Sequence, residues 1–165
     1  LGRCPGSRLR VVGVPDAPTG GRLATPFLRR GIATTRLHMA GRLSRAEYFA
    51  EMGKVDIALD PFPYCGGATT CECLWMGLPV VALAGDFGFA RSSAAVLSQA
   101  GFGEFVVSSR QAYVAKAVSL AESGLAGRRG GVRERMRASA LMDEAAFVHR
   151  LEGAYRTLQA KRRPG

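Results

Sequence analysis

The stretch that decides the fold is VDIALDPFPYCGGATTCECLWMGLPVVAL, residues 55–83. It begins with an apolar run typical of a buried strand and continues in a loop rich in Pro and Gly. Helical spacing follows until Gly77, and a second apolar run begins at Val80. A strand, a loop, a helix and another strand are the parts of a βαβ unit, whose strands lie parallel. We therefore predict a strand over 55–60, a helix over 69–76 and a strand over 80–83.

The same alternation extends to both sides of this unit. Further strands are predicted over 9–14, 37–39 and 105–107, and further helices over 22–30, 45–52, 91–99, 131–141 and 144–160. Ser44 and Glu47 have the spacing of a capping box, and Ser109 caps one more helix. Strands that are apolar on both faces favour a parallel sheet with helices on both faces, which is a Rossmann-like α/β layer. We expect an α/β core over about 1–142, a C-terminal helix over 143–160 and a basic tail over 161–165.

Composition excludes several classes of protein. The chain has 165 residues, 47% of them hydrophobic and 22% charged, which suffices for one domain with a buried core and disfavours disorder. No long uncharged apolar run and no signal-peptide core is present, so we expect a cytoplasmic protein without a membrane partner.

The formal net charge is +10, but residues 51–100 carry five acidic and two basic side chains, and the surplus Arg is dispersed over the flanks. Because nucleic-acid binders concentrate basic and aromatic residues on one surface, we predict no nucleic-acid partner.

Cysteine and histidine spacing gives no sign of a metal site. The four Cys include no C-x-x-C pair, and His38 and His149 lie far from them in sequence. Zinc sites need such ligand pairs at short spacing, so we predict no bound metal.

The loop between the first strand and helix of the central unit has the composition of a phosphate site. Gly66, Gly67 and Ala68 let backbone N–H groups approach a ligand, and Thr69 and Thr70 place hydroxyls at the positive end of a helix. Ligands of parallel α/β sheets bind at this carboxyl edge. No Lys follows the glycines, so a diphosphate would be held by amides and hydroxyls. The alternative is an ordinary glycine-rich βα turn.

Glu72 lies about one turn into the same helix. Its carboxylate is placed to accept hydrogen bonds from ribose hydroxyls, as acidic residues do in dinucleotide folds. The alternative is a charge that only complements the helix dipole, which is worth about 0.5 kcal/mol.

Three segments carry a resemblance to a known family: residues 55–64, 69–72 and 74–81. They resemble the C-terminal catalytic region of the protein O-glycosyltransferases, which include the O-GlcNAc transferases and the SPINDLY-type O-fucosyltransferases. The resemblance implies the C-terminal, donor-binding half of a GT-B glycosyltransferase. It also implies inverting, metal-independent transfer of a sugar to Ser/Thr hydroxyls of a protein acceptor, with a nucleotide sugar as co-substrate and no cofactor.

The resemblance also assigns roles to residues. It implies that Gly67, Ala68 and Thr69 hold the diphosphate, with Thr70 as the next residue of the helix. It implies that Glu72 contacts the ribose. It also implies that Arg42 and Leu43 contact the base and that the ring of Tyr48 lies beside the nucleoside. O-GlcNAc transferases have His-Thr-Thr where this chain has residues 67–69, and His where it has Tyr48. The sequence of residues 61–64 and 69–72 is more similar to that of SPINDLY. UDP-GlcNAc is the donor that the resemblance favours, and GDP-fucose is the alternative.

The family's catalytic histidine belongs to an N-terminal half that bacterial members often connect to tetratricopeptide repeats. Neither His38 nor His149 matches a catalytic position of the family. We therefore expect no catalytic residue within these 165 residues, an N-terminus that is incomplete, and no transfer by this chain alone. The alternative is a remnant that keeps the nucleotide-binding fold without the chemistry.

Overall fold

The computed structural model describes residues 1–124 and 129–162, and residues 163–165 of the predicted basic tail lie outside that part. The strands are β1 (Leu9–Val12), β2 (Leu37–Ala40), β3 (Ala58–Leu59), β4 (Val80–Leu83) and β5 (Val106–Val107). The helices are α1 (Ala17–Leu28), α2 (Arg45–Met52), α3 (Ala68–Trp75), α4 (Ser92–Gln99), α5 (Arg110–Glu122), α6 (Arg129–Arg137) and α7 (Glu144–Lys161). Short 3-10 turns lie at Thr34–Arg36, Gly88–Ala90, Gly103–Phe105 and Ala140–Met142.

Every described strand pairs in parallel, which confirms the predicted α/β class. β1 pairs with β2 from Leu9 opposite Leu37, and β4 pairs with both β3 and β5. The prediction of one sheet is corrected in detail, because the hydrogen bonds form a two-stranded sheet β1-β2 and a three-stranded sheet β3-β4-β5. The fold is thus a pair of parallel sheets with helices packed on them.

The strand predicted over 55–60 is shorter in the structure, where β3 has two residues, Ala58–Leu59. Its ladder begins where Ala58 N donates to Pro79 O at 2.9 Å and continues where Asp60 N donates to Val81 O at 3.0 Å. Pro79 has no N–H to donate, so pairing with residues before Ala58 loses a donor at this point. The predicted strand at 9–14 also ends early, at Val12.

The first helix was expected over 22–30 and instead begins at Ala17. Asp16 caps it by accepting a hydrogen bond from Thr19 N at 2.7 Å, and Pro18 occupies the first turn, where a missing N–H costs nothing. Because the helix begins earlier than expected, Pro26 lies near its C-terminal end. The helix predicted over 131–141 likewise divides into α6 and the separate turn Ala140–Met142.

The predicted caps of α2 and α5 and the predicted end of α3 are present in the structure. Ser44 N donates to Glu47 Oε2 at 2.8 Å and Glu47 N to Ser44 Oγ at 3.4 Å, which completes the capping box of α2. Ser109 Oγ accepts from Ala112 N at 3.1 Å and caps α5. Gly77 ends α3 with a φ of 77°, the left-handed conformation that favours glycine.

The core is centred on β4. Val80, Val81 and Ala82 are at most 1% exposed, and helices α3, α4 and α5 all pack against this strand. Leu74 of α3 and Leu97 of α4 are fully buried beside it. The loop that follows β4 therefore starts from the most closely packed strand described.

Helix α7 contrasts with this core because it contains no buried residue. Its apolar side chains Phe147, Tyr155 and Leu158 are 57%, 63% and 58% exposed. None of the described helices has the length and apolar character that crossing a bilayer requires.

The side chain of Arg129 joins the ends of two helices. Its guanidinium donates to Met52 O at 3.3 Å, Gly53 O at 3.1 Å and Met76 O at 3.4 Å, and also to Val55 O. Met52 and Gly53 end α2, and Met76 follows α3, so one cation binds carbonyls at the C-terminal ends of two helices. The relative position of α2 and α3 depends on this contact.

We predict that Arg129→Met lowers the free energy of unfolding by about 2 to 3 kcal/mol, because several carbonyls lose a charged donor. Urea unfolding followed by circular dichroism measures the change. Arg137→Met on the same helix is the control, since its exposed ion pair with Glu134 at 3.5 Å contributes about 0.5 kcal/mol or less. Equal effects of the two substitutions would contradict the role given to Arg129.

Candidate functional site

The N-terminus of α3 presents free backbone donors at the carboxyl edge of the three-stranded sheet. Thr70 N and Cys71 N both donate to Gly67 O, at 3.1 and 3.2 Å. Within the described residues, the N–H groups of Gly67, Ala68 and Thr69 have no acceptor. Because these N–H groups lie at the positive end of the helix dipole, an anion is the ligand that they favour.

The two threonines predicted for this site differ in exposure and in hydrogen bonding. Thr69 is exposed and its hydroxyl makes no hydrogen bond to a described residue, whereas Thr70 is 2% exposed and its Oγ1 lies 2.8 Å from Ser93 Oγ. Both hydroxyls lie on the side of the helix next to Gly66, but that of Thr70 is buried and bonded to Ser93. The hydroxyl available to a ligand is that of Thr69.

Gly66 is held on both sides of its Cα. Its N–H donates to Asp60 Oδ1 at 2.8 Å, and its carbonyl accepts from Ser93 Oγ at 2.9 Å. A Cβ at this position would lie 2.5 Å from Thr69 Oγ1 and 2.9 Å from Thr70 Oγ1, so glycine is the residue that fits. The N–H of Gly66, predicted to approach a ligand, is instead bonded within the loop to Asp60.

Asp60 is a buried carboxyl directly after β3, 6% exposed, whose Oδ2 has no hydrogen-bond partner among the described residues. Burial raises the pKa of Asp60, and the hydrogen bond from the Gly66 N–H opposes this only in part. The Tyr113 hydroxyl donates to Asp60 O at 2.8 Å, and its own pKa is raised by burial and by the charge of Asp60.

On the other side of the site, α2 turns two side chains towards α3. Arg45 Nη2 lies 3.8 Å from Glu72 Oε1. Burial raises the pKa of Tyr48, with smaller contributions from the charges of Cys73 and Glu72 on α3. The ion pair of Arg45 with Glu72 shows that the N-terminal part of α2 faces α3.

Sequence analysis missed Arg45, although a signal was present. Arg45 and Tyr48 are three residues apart on α2, a spacing that puts both on one helix face. The predicted Arg42 and Leu43 lie just before α2, where Arg42 is exposed and Leu43 is half-buried.

The same edge of the sheet carries exposed aromatic rings. Phe89 stacks on Tyr64 with ring centroids 5.9 Å apart and on Phe87 with centroids 5.6 Å apart. Tyr64 is 75% and Phe87 66% exposed. The carboxyl edge thus combines free N–H donors with an open apolar surface.

A cavity of about 540 Å³ lies at the carboxyl ends of β1 and β2. Its lining includes Val14, Asp16 and Gly41, and Gly41 precedes the predicted base-contacting residues Arg42 and Leu43. The predicted site residues themselves do not line this cavity, which lies beside the smaller two-stranded sheet. No three His, Cys, Asp or Glu side chains of residues 1–124 and 129–162 form a group suited to a metal ion.

Comparison with known proteins identifies the family. The family model of glycosyl transferase family 41 matches residues 1–151. The chain belongs to glycosyl transferase family 41. This confirms the resemblance expressed by residues 55–64, 69–72 and 74–81.

Relatives of this family 41 chain include plant, animal and bacterial proteins. It is 37% identical over 143 residues to the probable UDP-N-acetylglucosamine–peptide N-acetylglucosaminyltransferase SPINDLY of Arabidopsis thaliana, covering 85% of this chain and 16% of that protein. It is 30% identical over 128 residues to the UDP-N-acetylglucosamine–peptide N-acetylglucosaminyltransferase of Caenorhabditis elegans, covering 76% of this chain and 11% of that protein. A mutant of the Thermobaculum terrenum O-GlcNAc transferase superposes with a TM-score of 0.80 at 35% identity, covering 91% of this chain and 30% of that chain.

These matches confirm the fold as that of the C-terminal GT-B region of an O-GlcNAc transferase. The family 41 chain spans only 11 to 16% of the length of the curated relatives given above. The activity of the whole relatives therefore comes to this chain as a proposal.

We predict that Asp60→Asn stabilises the chain more at about pH 8 than at about pH 3.5. The folded-state pKa of Asp60 lies above the ordinary value of 3.8 for an Asp carboxyl, so its contribution to stability is complete below the unfolded-state pKa. That contribution is lost as pH rises through the folded-state pKa, because the buried carboxyl then ionises. Asn keeps an oxygen acceptor for Gly66 N–H and does not ionise.

Urea unfolding of both proteins across this pH range measures the difference. Asp56→Asn, at an exposed position in the same segment, is the matched control. An Asp60→Asn effect that does not change with pH would contradict the prediction.

Proposed function

We propose that this chain binds a nucleoside-diphosphate sugar and forms the donor-binding half of a protein O-glycosyltransferase. The observation that supports the proposal most directly is the N-terminus of α3, where the N–H groups of residues 67–69 and the Thr69 hydroxyl are free. Such a site matches the diphosphate of a nucleotide sugar in charge and in hydrogen-bonding capacity.

The remaining contacts of the donor follow from the facing helices. Glu72 accepts hydrogen bonds from the ribose hydroxyls, with Arg45 limiting its range of positions through their ion pair at 3.8 Å. The ring of Tyr48 lies against the nucleoside, and the backbone of Arg42 and Leu43 meets the base. The distance from α3 to residues 42–48 thus sets which nucleotide fits.

In the proposed reaction, the oxygen of a Ser or Thr hydroxyl on the acceptor protein attacks the anomeric carbon of the sugar. The bond from that carbon to the diphosphate oxygen breaks, its electron pair stays on the diphosphate, and the configuration inverts. The hydroxyl proton passes to a base that we place outside these 165 residues. The N–H groups at α3 stabilise the charge that develops on the leaving diphosphate, and for this reason we propose a metal-independent transfer.

UDP-GlcNAc is the donor that we propose first, because the names of the relatives in plants and Caenorhabditis elegans specify UDP-N-acetylglucosamine and a peptide. GDP-fucose is the alternative, supported by the resemblance of residues 61–64 and 69–72 to SPINDLY-type O-fucosyltransferases. Further domains, namely the second GT-B half and tetratricopeptide repeats, are the proposed partners of this chain.

Calorimetric titration with UDP, GDP and uridine tests the proposal. Thr69→Val is expected to weaken binding of the preferred diphosphate about tenfold through loss of one hydrogen bond to a charged group, while uridine binding stays unchanged. Glu72→Ala is expected to weaken binding of uridine as well as UDP, because its contact is with the ribose.

Two exposed residues provide matched controls. Thr35→Val and Glu122→Ala make the same chemical changes away from the site, and both are expected to bind like the parent chain. Absence of saturable binding of any nucleoside diphosphate by the parent chain would refute the proposed function. Equal losses in the Thr69 and Thr35 variants would refute the placement of the diphosphate.

A further inference from the structure

We propose that Asp60 and Ser93 are positioning residues that hold Gly66 in one orientation and thereby aim the free N–H groups of residues 67–69 at the ligand. The inference rests on the proposed function, and it assigns to two buried side chains a role in diphosphate binding that neither performs by direct contact. Asp60 is 6% and Ser93 0% exposed, so both act through the loop backbone.

Ser93 holds the carbonyl side of Gly66. It lies in the first turn of α4, and its hydroxyl donates to Gly66 O at 2.9 Å. Ser93 Oγ also lies 2.8 Å from Thr70 Oγ1. Because the single hydrogen of the Ser93 hydroxyl is donated to Gly66 O, the Thr70 hydroxyl is the donor of this second bond. Ser93 therefore connects the loop before α3 with the first turn of α3.

Asp60 holds the amide side of Gly66. Its Oδ1 accepts from Gly66 N at 2.8 Å, while its own backbone is fixed by the bond of Asp60 N to Val81 O at 3.0 Å in the sheet. The N–H and the C=O of one residue are thus bonded to side chains of two different elements. Rotation of either peptide group breaks one of these bonds and leaves a buried polar group without a partner.

The residue before Gly66 is fixed to the same neighbouring segment. Cys65 N donates to Phe89 O at 3.2 Å, the Cys65 thiol lies 3.0 Å from the same carbonyl, and Ser93 N donates weakly to Cys65 Sγ at 3.5 Å. Residues 65–66 are therefore held along the segment that leads into α4. The chain leaves this anchored pair at Gly67, which is the first of the free donors.

The buried Oδ2 of Asp60 distinguishes positioning from simple stabilisation. A buried carboxylate oxygen without a partner is unfavourable for folding. A neutral acceptor would hold the Gly66 N–H at less cost, so Asp60→Asn is expected to preserve the loop and Asp60→Ala to release it. This pair separates the acceptor role of the side chain from its charge.

The first test is binding by Ser93→Ala, with Ser98→Ala on the exposed side of the same helix as control. We expect Ser93→Ala to bind UDP, or GDP if that is the preferred nucleotide, about tenfold more weakly, because the donors are displaced. Binding of uridine or guanosine is expected to stay at the parent level. A general loss of folding would weaken nucleoside and diphosphate alike, and that result would overturn the proposal.

The second test needs no ligand and so separates this inference from the proposed function. Amide hydrogen exchange measured by NMR is expected to be at least about tenfold faster for Gly66 in Asp60→Ala than in the parent, and close to the parent in Asp60→Asn. If Asp60→Ala does not fold, Ser93→Ala is compared with Asp60→Asn in the same measurement, and the same ordering is expected.

Unchanged Gly66 exchange in Asp60→Ala and in Ser93→Ala would overturn the positioning role, whatever the nucleotide result. If the parent chain binds no nucleoside diphosphate, the proposed function fails and the role in ligand binding fails with it, while the exchange data still show whether Asp60 and Ser93 fix the loop. Diphosphate-specific loss in Ser93→Ala together with faster exchange supports both.

Discussion

The contact on which the site depends most lies at the opposite end of its helices. The Arg129 guanidinium binds the carbonyls of Met52, Gly53, Val55 and Met76, and so joins the C-terminal end of α2 to that of α3. A cation is favoured there because both helix dipoles have their negative ends at that point. With these ends joined by Arg129 and Arg45 paired with Glu72 nearer the other end, α2 and α3 are held at two points on either side of the candidate site.

Glycine 77 makes this arrangement sterically possible. With a φ of 77°, it ends α3 in a conformation that side chains with a Cβ rarely adopt. A Cβ at Gly77 would also lie 2.5 Å from Arg129 O, so the backbone of α6 packs directly on this turn. One residue therefore satisfies two constraints, since it ends the helix and admits the chain that carries Arg129. The site at the N-terminus of α3 depends on packing at its C-terminus.

Sequence patterns predicted the features whose causes are local. The Ser44 capping box and the Gly77 helix end involve neighbours in the chain, and both are present as predicted. The ligand-facing role predicted for Thr70 did not anticipate its burial, because the outward side of an eight-residue helix is decided by what packs on it. Ser93 was not predicted at all, since its bonds to Gly66 and Thr70 join segments far apart in sequence. Pattern alone does not show such contacts.

The absence of Lys and Arg from residues 61–70 explains why backbone geometry matters so much here. A flexible cation attracts an anion over several ångströms and tolerates a displaced loop, whereas N–H and hydroxyl donors need close distances and near-linear angles. A diphosphate site made of neutral donors therefore gains its affinity from donors that are already aimed before the ligand arrives. Bonds from buried Asp60 and Ser93 to the two sides of Gly66 supply that aim, and the β4 core holds both of them in place.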